Sequence, residues 1–311
     1  MNIHKKLGTA LIAVSMVMLG ASVSANAAEV FKPFTFTYNA EGDMAQAVAE
    51  AKAKVTAAGF EVVGEYAPYA GATIIAVTSG DLKKAAASTE FGGYAAAQRV
   101  TVTEVGGKMQ VSYTNPAYYG AAYRIDGAEG KASLVAAQNA LSQALGAGQM
   151  FGTGDKQLTE ADLQKYHYMI GMEYFDDPSD LMEYDSQKEA IAAVEAGLAS
   201  GKGGATKVYR IDIPGKEETV FGVALTDAGC SGDEYIMSRI DKDDLRSTGH
   251  LPYEILVSDG NVYALYARFR IAISWPHLPM IQNATGATFF NIMCAPNAIE
   301  EALIQAAGGE V

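Results

Sequence analysis

The chain is short of cysteine, histidine, basic residues and long apolar runs, and each shortage excludes something. Two cysteines in 311 residues, Cys230 and Cys294, cannot be the basis of the fold, and no C-x-x-C-H haem attachment site exists. The three histidines beyond residue 27, His167, His250 and His277, are too scattered to suggest a triad. Lysine and arginine number 23 against 36 acids, a formal charge of −13, which makes nucleic acid and anionic membrane surfaces poor partners. The longest apolar run, Leu7 to Leu19, falls short of the roughly 20 residues a membrane-spanning helix needs. Nucleotide and hydrolase signatures are missing too: Gly201-Lys202 lacks the rest of a P-loop, and neither G-x-G-x-x-G nor G-x-S-x-G occurs.

What is there begins with a leader. Lys5 and Lys6, the apolar run and the small-residue exit Ala25-Asn26-Ala27 read as a Sec-type signal peptide over 1–27. No cysteine marks the cleavage point, so no lipid anchor is indicated. The expectation is a soluble exported protein, periplasmic or secreted, without an integral membrane segment, whose charge becomes −15 once Lys5 and Lys6 are removed.

The remainder contains one α/β unit twice. Val48, Ala51 and Val55 match Ile191, Val194 and Leu198, and the strand pair 62–68 and 73–77 matches 208–214 and 219–223. The segment 107–113 recurs as 260–266, and 139–145 as 297–303. The offsets grow along the chain, from 143 through 146 and 153 to 158, as loop insertions in a duplicated domain require.

Periodicity predicts β-α-β-β-β-β-α for each unit. In the first, strands are expected at 34–38, 60–66, 72–78, 99–104 and 108–114, with helices at 44–58 and 131–145. The second has strands at 168–175, 207–213, 218–225, 253–258 and 262–273, with helices at 187–200 and 297–307. The fold class is therefore α+β, with domains at 28–147 and 167–311 and a linker at 148–166, where Thr159 can cap a short helix. Residues 227–250 read as an insertion found only in the second unit.

The stretch Val111-Ser-Tyr-Thr-Asn-Pro-Ala-Tyr-Tyr119, leading into an Ala-rich helix, resembles the domain-of-unknown-function family 302 over residues 34–146. The second unit is similar only in pattern. The resemblance implies a TATA-binding-protein-like β-α-β4-α architecture and supplies no activity, cofactor or catalytic residue.

Two constellations stand out as ligand-binding candidates. Tyr113, Asn115, Tyr118, Tyr119, Tyr123 and Arg124 gather aromatic faces, an amide and a guanidinium at one turn, suited to an anionic or planar ligand; the plainer reading is turn packing. Their counterpart is Tyr266, Arg268, Arg270, Trp275 and His277. Strand spacing puts Tyr266, Arg268 and Arg270 on one sheet face, either solvated or, if the faces of the repeats correspond, turned inward onto an anion or carboxylates.

His167, Met169 and Met172 offer soft-metal ligands, although packing accounts for them as well, and no metal is assigned. The acidic runs Asp176, Asp177, Asp180 and Asp241, Asp243, Asp244 lack calcium-loop spacing and read as solvated faces. Cys230 and Cys294 can form a disulfide; unpaired, Cys294 before Pro296 would sit at a helix start and be acidified. The expected function is binding of a small molecule or an envelope protein without a cofactor. The alternatives are a thiol- or metal-dependent enzyme using Cys294 or His277, and an envelope assembly role. The second unit, or the seam between the two, is where a specific function is expected.

Overall fold

The computed structural model describes residues 28–282 and 284–311; the signal peptide expected at 1–27 lies outside them. In chain order the first unit holds β1 (Phe34–Ala40), α1 (Met44–Ala57), β2 (Glu61–Tyr66), β3 (Ala72–Thr78), α2 (Gly80–Ala87), β4 (Gln98–Val105), β5 (Lys108–Thr114), α3 (Pro116–Ala122) and α4 (Gly127–Leu145). A connector carries β6 (Gln149–Phe151) and α5 (Glu160–Leu163). The second unit holds β7 (Ser179–Glu183), α6 (Gln187–Ala199), β8 (Ala205–Asp212), β9 (Glu218–Leu225), α7 (Asp233–Ile240), β10 (Tyr253–Ser258), β11 (Asn261–Ala264), α8 (Ala267–Ser274) and α9 (Ala295–Ala306).

The class is α+β, with two antiparallel sheets. Their orders are β2-β3-β4-β5-β1-β6 and β7-β11-β10-β9-β8, so each unit's own five strands lie in the same sequence. The irregularities repeat as well: β2 and β8 each shift register against their neighbours, around Val63 and Val208 respectively. These edge strands meet there, so closely that a Cβ on Gly64 would lie 2.3 Å from the Val208 carbonyl oxygen.

Local chemistry explains the helices read from sequence. Asp43 caps α1, accepting from Gln46 N at 2.9 Å while the Gln46 amide accepts from Asp43 N, and the helix buries Ala47, Val48, Ala51 and Val55. Four departures have physical causes. The 227–250 segment has a twin, because α2 and the 3-10 turn Gly92–Ala95 occupy the place of α7 and the turn Thr248–His250; α2 is barely two turns long and leaves little periodicity. Residues 116–122 are helix α3, with the Asn115 side chain accepting from Ala117 N and Tyr118 N and Pro116 at the first turn. Residues 168–175 form turns, and the strand follows at 179–183, because the alternating aromatics Tyr168 and Phe175 are packing rings against Phe289 and Phe269. The strand expected at 262–273 stops at Ala264 and gives way to α8. The linker is structured: β6 adds a sixth strand beside β1, and Thr159 caps α5.

The units interlock through matching elements. The turn Gly92–Ala95 lies on the second sheet, where the Glu218 carboxylate accepts from Phe91 N and Gly93 N at 3.2 and 3.1 Å. Reciprocally, Thr248 meets Thr103 at 2.8 Å and Tyr69 at 3.1 Å on the first unit. Between them, Tyr118 OH of α3 donates to the Ile273 carbonyl of α8 at 2.8 Å. Tyr209, Val220, Leu256 and Ile273 of the second unit therefore belong to the first unit's core.

Gly64→Val tests this junction. Crowding the Val208 backbone should cost about 1–3 kcal/mol and lower the melting temperature; an unchanged melting temperature would mean that the two edges do not meet.

Candidate functional site

The centre of the seam is polar. Arg99 on β4 and Arg270 on α8 are each 1 % exposed, and both face Glu254 of β10. Arg99 Nη2 lies 2.5 Å from Glu254 Oε1, which also accepts from Tyr209 OH at 2.9 Å, while Arg270 Nε stands 3.7 Å from Oε2. Arg270 Nη1 donates to Ser274 Oγ at 3.0 Å and Nη2 to the His250 carbonyl. His250 Nδ1 is 2.9 Å from Ser274 Oγ, and Nε2 is 3.0 Å from Tyr253 OH. Burial, reinforced by Arg270 and Arg99, holds His250 well below the ordinary imidazole range and hence neutral.

Because α8 is a helix, Arg268 and Arg270 do not share a face. Arg268 is on the surface, gripping Glu173 with two donors and lying over the Tyr266 ring, whereas Arg270 is inward. The structure brings Tyr119, Arg270 and Trp275 together: Tyr119 OH is 3.3 Å from Ser274 Oγ, and the His250 ring is 4.7 Å from Trp275. Arg124 is elsewhere, in the left-handed region at φ 53° and bonded to both oxygens of Asp176. His277 bonds Asp243 at 3.1 Å and the Gly152 carbonyl, apart from that cluster. Asn115 is spent on capping α3 and on the Lys32 carbonyl. Sequence reasoning missed Arg99, Glu254, His250 and Ser274; the partners in the Arg99–Glu254 pair lie over 150 positions apart, and no local signal joins them.

Ser274 and His250 are spaced like a nucleophile and its base, yet both are 0 % exposed, Tyr253 rather than a carboxylate orients the imidazole, and no approach to Ser274 Oγ is open. The cluster is a buried structural network. No family model, curated protein or solved structure matches this chain.

The remaining candidates resolve similarly. Cys230 and Cys294 are bonded, S–S 2.08 Å, and there is no free thiol among the described residues. His167 Nδ1 is engaged by the Met169 carbonyl at 2.7 Å, and the described residues contain no group of three or more His, Cys, Asp or Glu able to hold a metal. Asp241, expected on a solvated face, is buried and accepts from Ser247 N, because it ties the end of α7 to the following loop.

An accessible cavity does exist, in the first unit. It measures about 350 Å3 between the N-terminal segment, α3, α4 and α5, with apolar walls from Phe31, Ala117, Ala121, Leu134 and Val135. Lys131 and Glu160, paired at 2.5 Å, stand at its edge. Glu29, Asn139 and Gln138 add polar lining, and among the described residues Gln138 Nε2 donates to Tyr113 OH at 3.2 Å while its Oε1 is buried without a partner. Tyr113 thus connects the turn read from sequence to this cavity, which exists because the connector folds back over α3 and α4.

Burial pushes the Asp233 carboxyl up to about 8 and that of Asp241 up to about 7. A carboxyl raised by folding contributes stability that is complete at low pH and is lost as pH climbs from about 4 through its folded value. Glu173, Asp176 and Asp243, lowered chiefly by hydrogen bonds from Arg268, Arg124 and His277, act oppositely and weaken the fold only below about pH 4. His250, neutral in the fold, opposes the two raised carboxyls below about pH 6.5 and offsets one of them, so stability should be highest near pH 4–5, decline gently to about pH 6.5 and more steeply above it, up to about pH 8. In Asp233→Asn, denaturant titrations should give a slope flatter by up to about 1.4 kcal/mol per pH unit. An unchanged slope would place the pH dependence elsewhere.

Proposed function

We propose that this chain is an exported, non-enzymatic binding protein whose first unit takes a small, largely apolar molecule bearing one hydrogen-bond donor. The observation that carries this reading is the 350 Å3 cavity with the unpartnered Gln138 Oε1 among apolar walls. Its size and lining suit a small ligand, and a buried acceptor without a donor is costly enough to select one that supplies it. Export rests on the leader-like residues 1–27 and is supported by the Cys230–Cys294 bond, which suits an oxidising compartment. Among the described residues no helix is long and apolar enough to cross a membrane. Kinship with the domain-of-unknown-function family 302, and a TATA-binding-protein-like ancestry of each unit, belong to the same proposal. They are supported by the repeated five-strand order, to which each unit adds four helices, two more than a β-α-β4-α unit has.

N-phenyl-1-naphthylamine, neutral and apolar with one N–H, is a suitable probe. Its fluorescence should rise saturably with the protein, Ala117→Trp should abolish the rise by filling the cavity, and Gln138→Leu should weaken binding about tenfold. The absence of a saturable signal, or a signal indifferent to Ala117→Trp, would remove the reading.

A further inference from the structure

A second cleft, of about 420 Å3, opens at the seam between the β2–β3 turn of the first unit and α7 of the second. Three carboxylates border it, Asp227, Asp233 and Glu234, against a single base, Arg239. Among the described residues Arg239 forms no ion pair with them: its guanidinium lies 3.4 Å from the Tyr235 ring centroid and donates to the Tyr235 carbonyl at 2.9 Å. Asp227 is spent on its own turn, accepting from Gly229 N.

Asp233 is the unusual member. It is 2 % exposed, and its Oδ2 accepts from Leu225 N at 3.0 Å and, across the seam, from Tyr66 OH at 3.4 Å. Its Oδ1 has no hydrogen-bond partner among the described residues. An acid at the first turn of a helix is well placed against the helix dipole, but that placement explains neither the burial nor the vacant oxygen. Ionising a buried carboxyl with no cation beside it is costly, and a cleft with surplus negative charge and an aromatic wall, here Tyr66, is the environment in which an organic cation offsets that cost.

We infer that this cleft is a binding site for a small primary ammonium group, with Asp233 as its counter-ion and Glu234 and Asp227 as the surrounding negative field. With the cleft empty, burial keeps Asp233 protonated up to about pH 8. The groups that face its carboxyl, Tyr66 on β2, Tyr69 in the β2–β3 turn, Tyr253 on β10 and the Leu225 amide on β9, include no cation among the described residues. Arrival of an ammonium ion stabilises the carboxylate, so the proton leaves Asp233 for solvent as the salt bridge forms. Alkylammonium groups stay charged to about pH 10, so the pH dependence of binding reports the carboxyl. Affinity should rise by up to about tenfold per pH unit below 8 and level off above it.

The experiment is calorimetric titration of residues 28–311 with 1,5-diaminopentane, in two buffers of different ionisation enthalpy at pH 7, and again at pH 6 and 9. The expected result is saturable binding, release of up to one proton, and no binding of the neutral analogue 1,5-pentanediol. Asp233→Asn should weaken binding at least tenfold and Glu234→Gln, on the exposed side of α7, about threefold. Both variants should retain the N-phenyl-1-naphthylamine signal, which shows that the fold and the first cavity are intact. Failure of the diamine with that signal preserved removes the ammonium site alone. The inference is overturned by no saturable heat, by equal binding of the diol, or by Asp233→Asn binding as tightly as the parent.

Discussion

The buried Arg99–Glu254 ion pair, with Arg270 beside it, is the interaction on which the arrangement of the two units depends. Two guanidiniums and one carboxylate removed from water are costly unless held by many hydrogen bonds. Here Tyr209, Ser274 and the His250 carbonyl provide part of them, while Arg99 Nε and Glu254 Oε2 make no hydrogen bond among the described residues and rely on the ion pairs alone. Arg99 comes from one unit and Glu254 and Arg270 from the other. Separation would leave charges stranded on each sheet, so the same groups that burden the core fix how the units fit. The reciprocal turns at 92–95 and 248–250 surround this centre on both sides.

The two units share one five-strand framework, and their differences decide where clefts open. The connector places β6 and α5 against the first unit and thereby encloses a cavity over α3 and α4. In the second unit the corresponding helix α8 is drawn into the seam, buried at every position from Phe269 to Ser274. The disulfide joins the residues just before α7 and α9, tying α7 to the closing helix of its unit. The two clefts thus lie where the repeat symmetry is broken and where the units meet.

Much of this frame was legible in the sequence. Strands 72–78, 108–114, 218–225 and 253–258 alternate or run apolar between turn residues, and the capped Ala-rich helices at 44–57 and 187–199 carry one apolar stripe each. The helix at 267–274 was hidden because a helix buried on nearly all sides shows no stripe, while Ile271 and Ile273 are strong strand formers whose alternation with Ala272 and Ser274 imitates a strand. Among the site residues, Tyr113 could be singled out from its turn, but its link to Gln138 requires α4 to fold beside β5. Asp233 carries no distinguishing sequence signal at all; one of the groups bonded to its carboxyl, Tyr66, is contributed by the other unit.

If the seam makes the two units one cooperative structure, differential scanning calorimetry of residues 28–311 tests that claim most directly. The account predicts a single transition in which the calorimetric and van't Hoff enthalpies agree. Two separable transitions, or a calorimetric enthalpy about twice the van't Hoff value, would show that the units unfold independently and would contradict it.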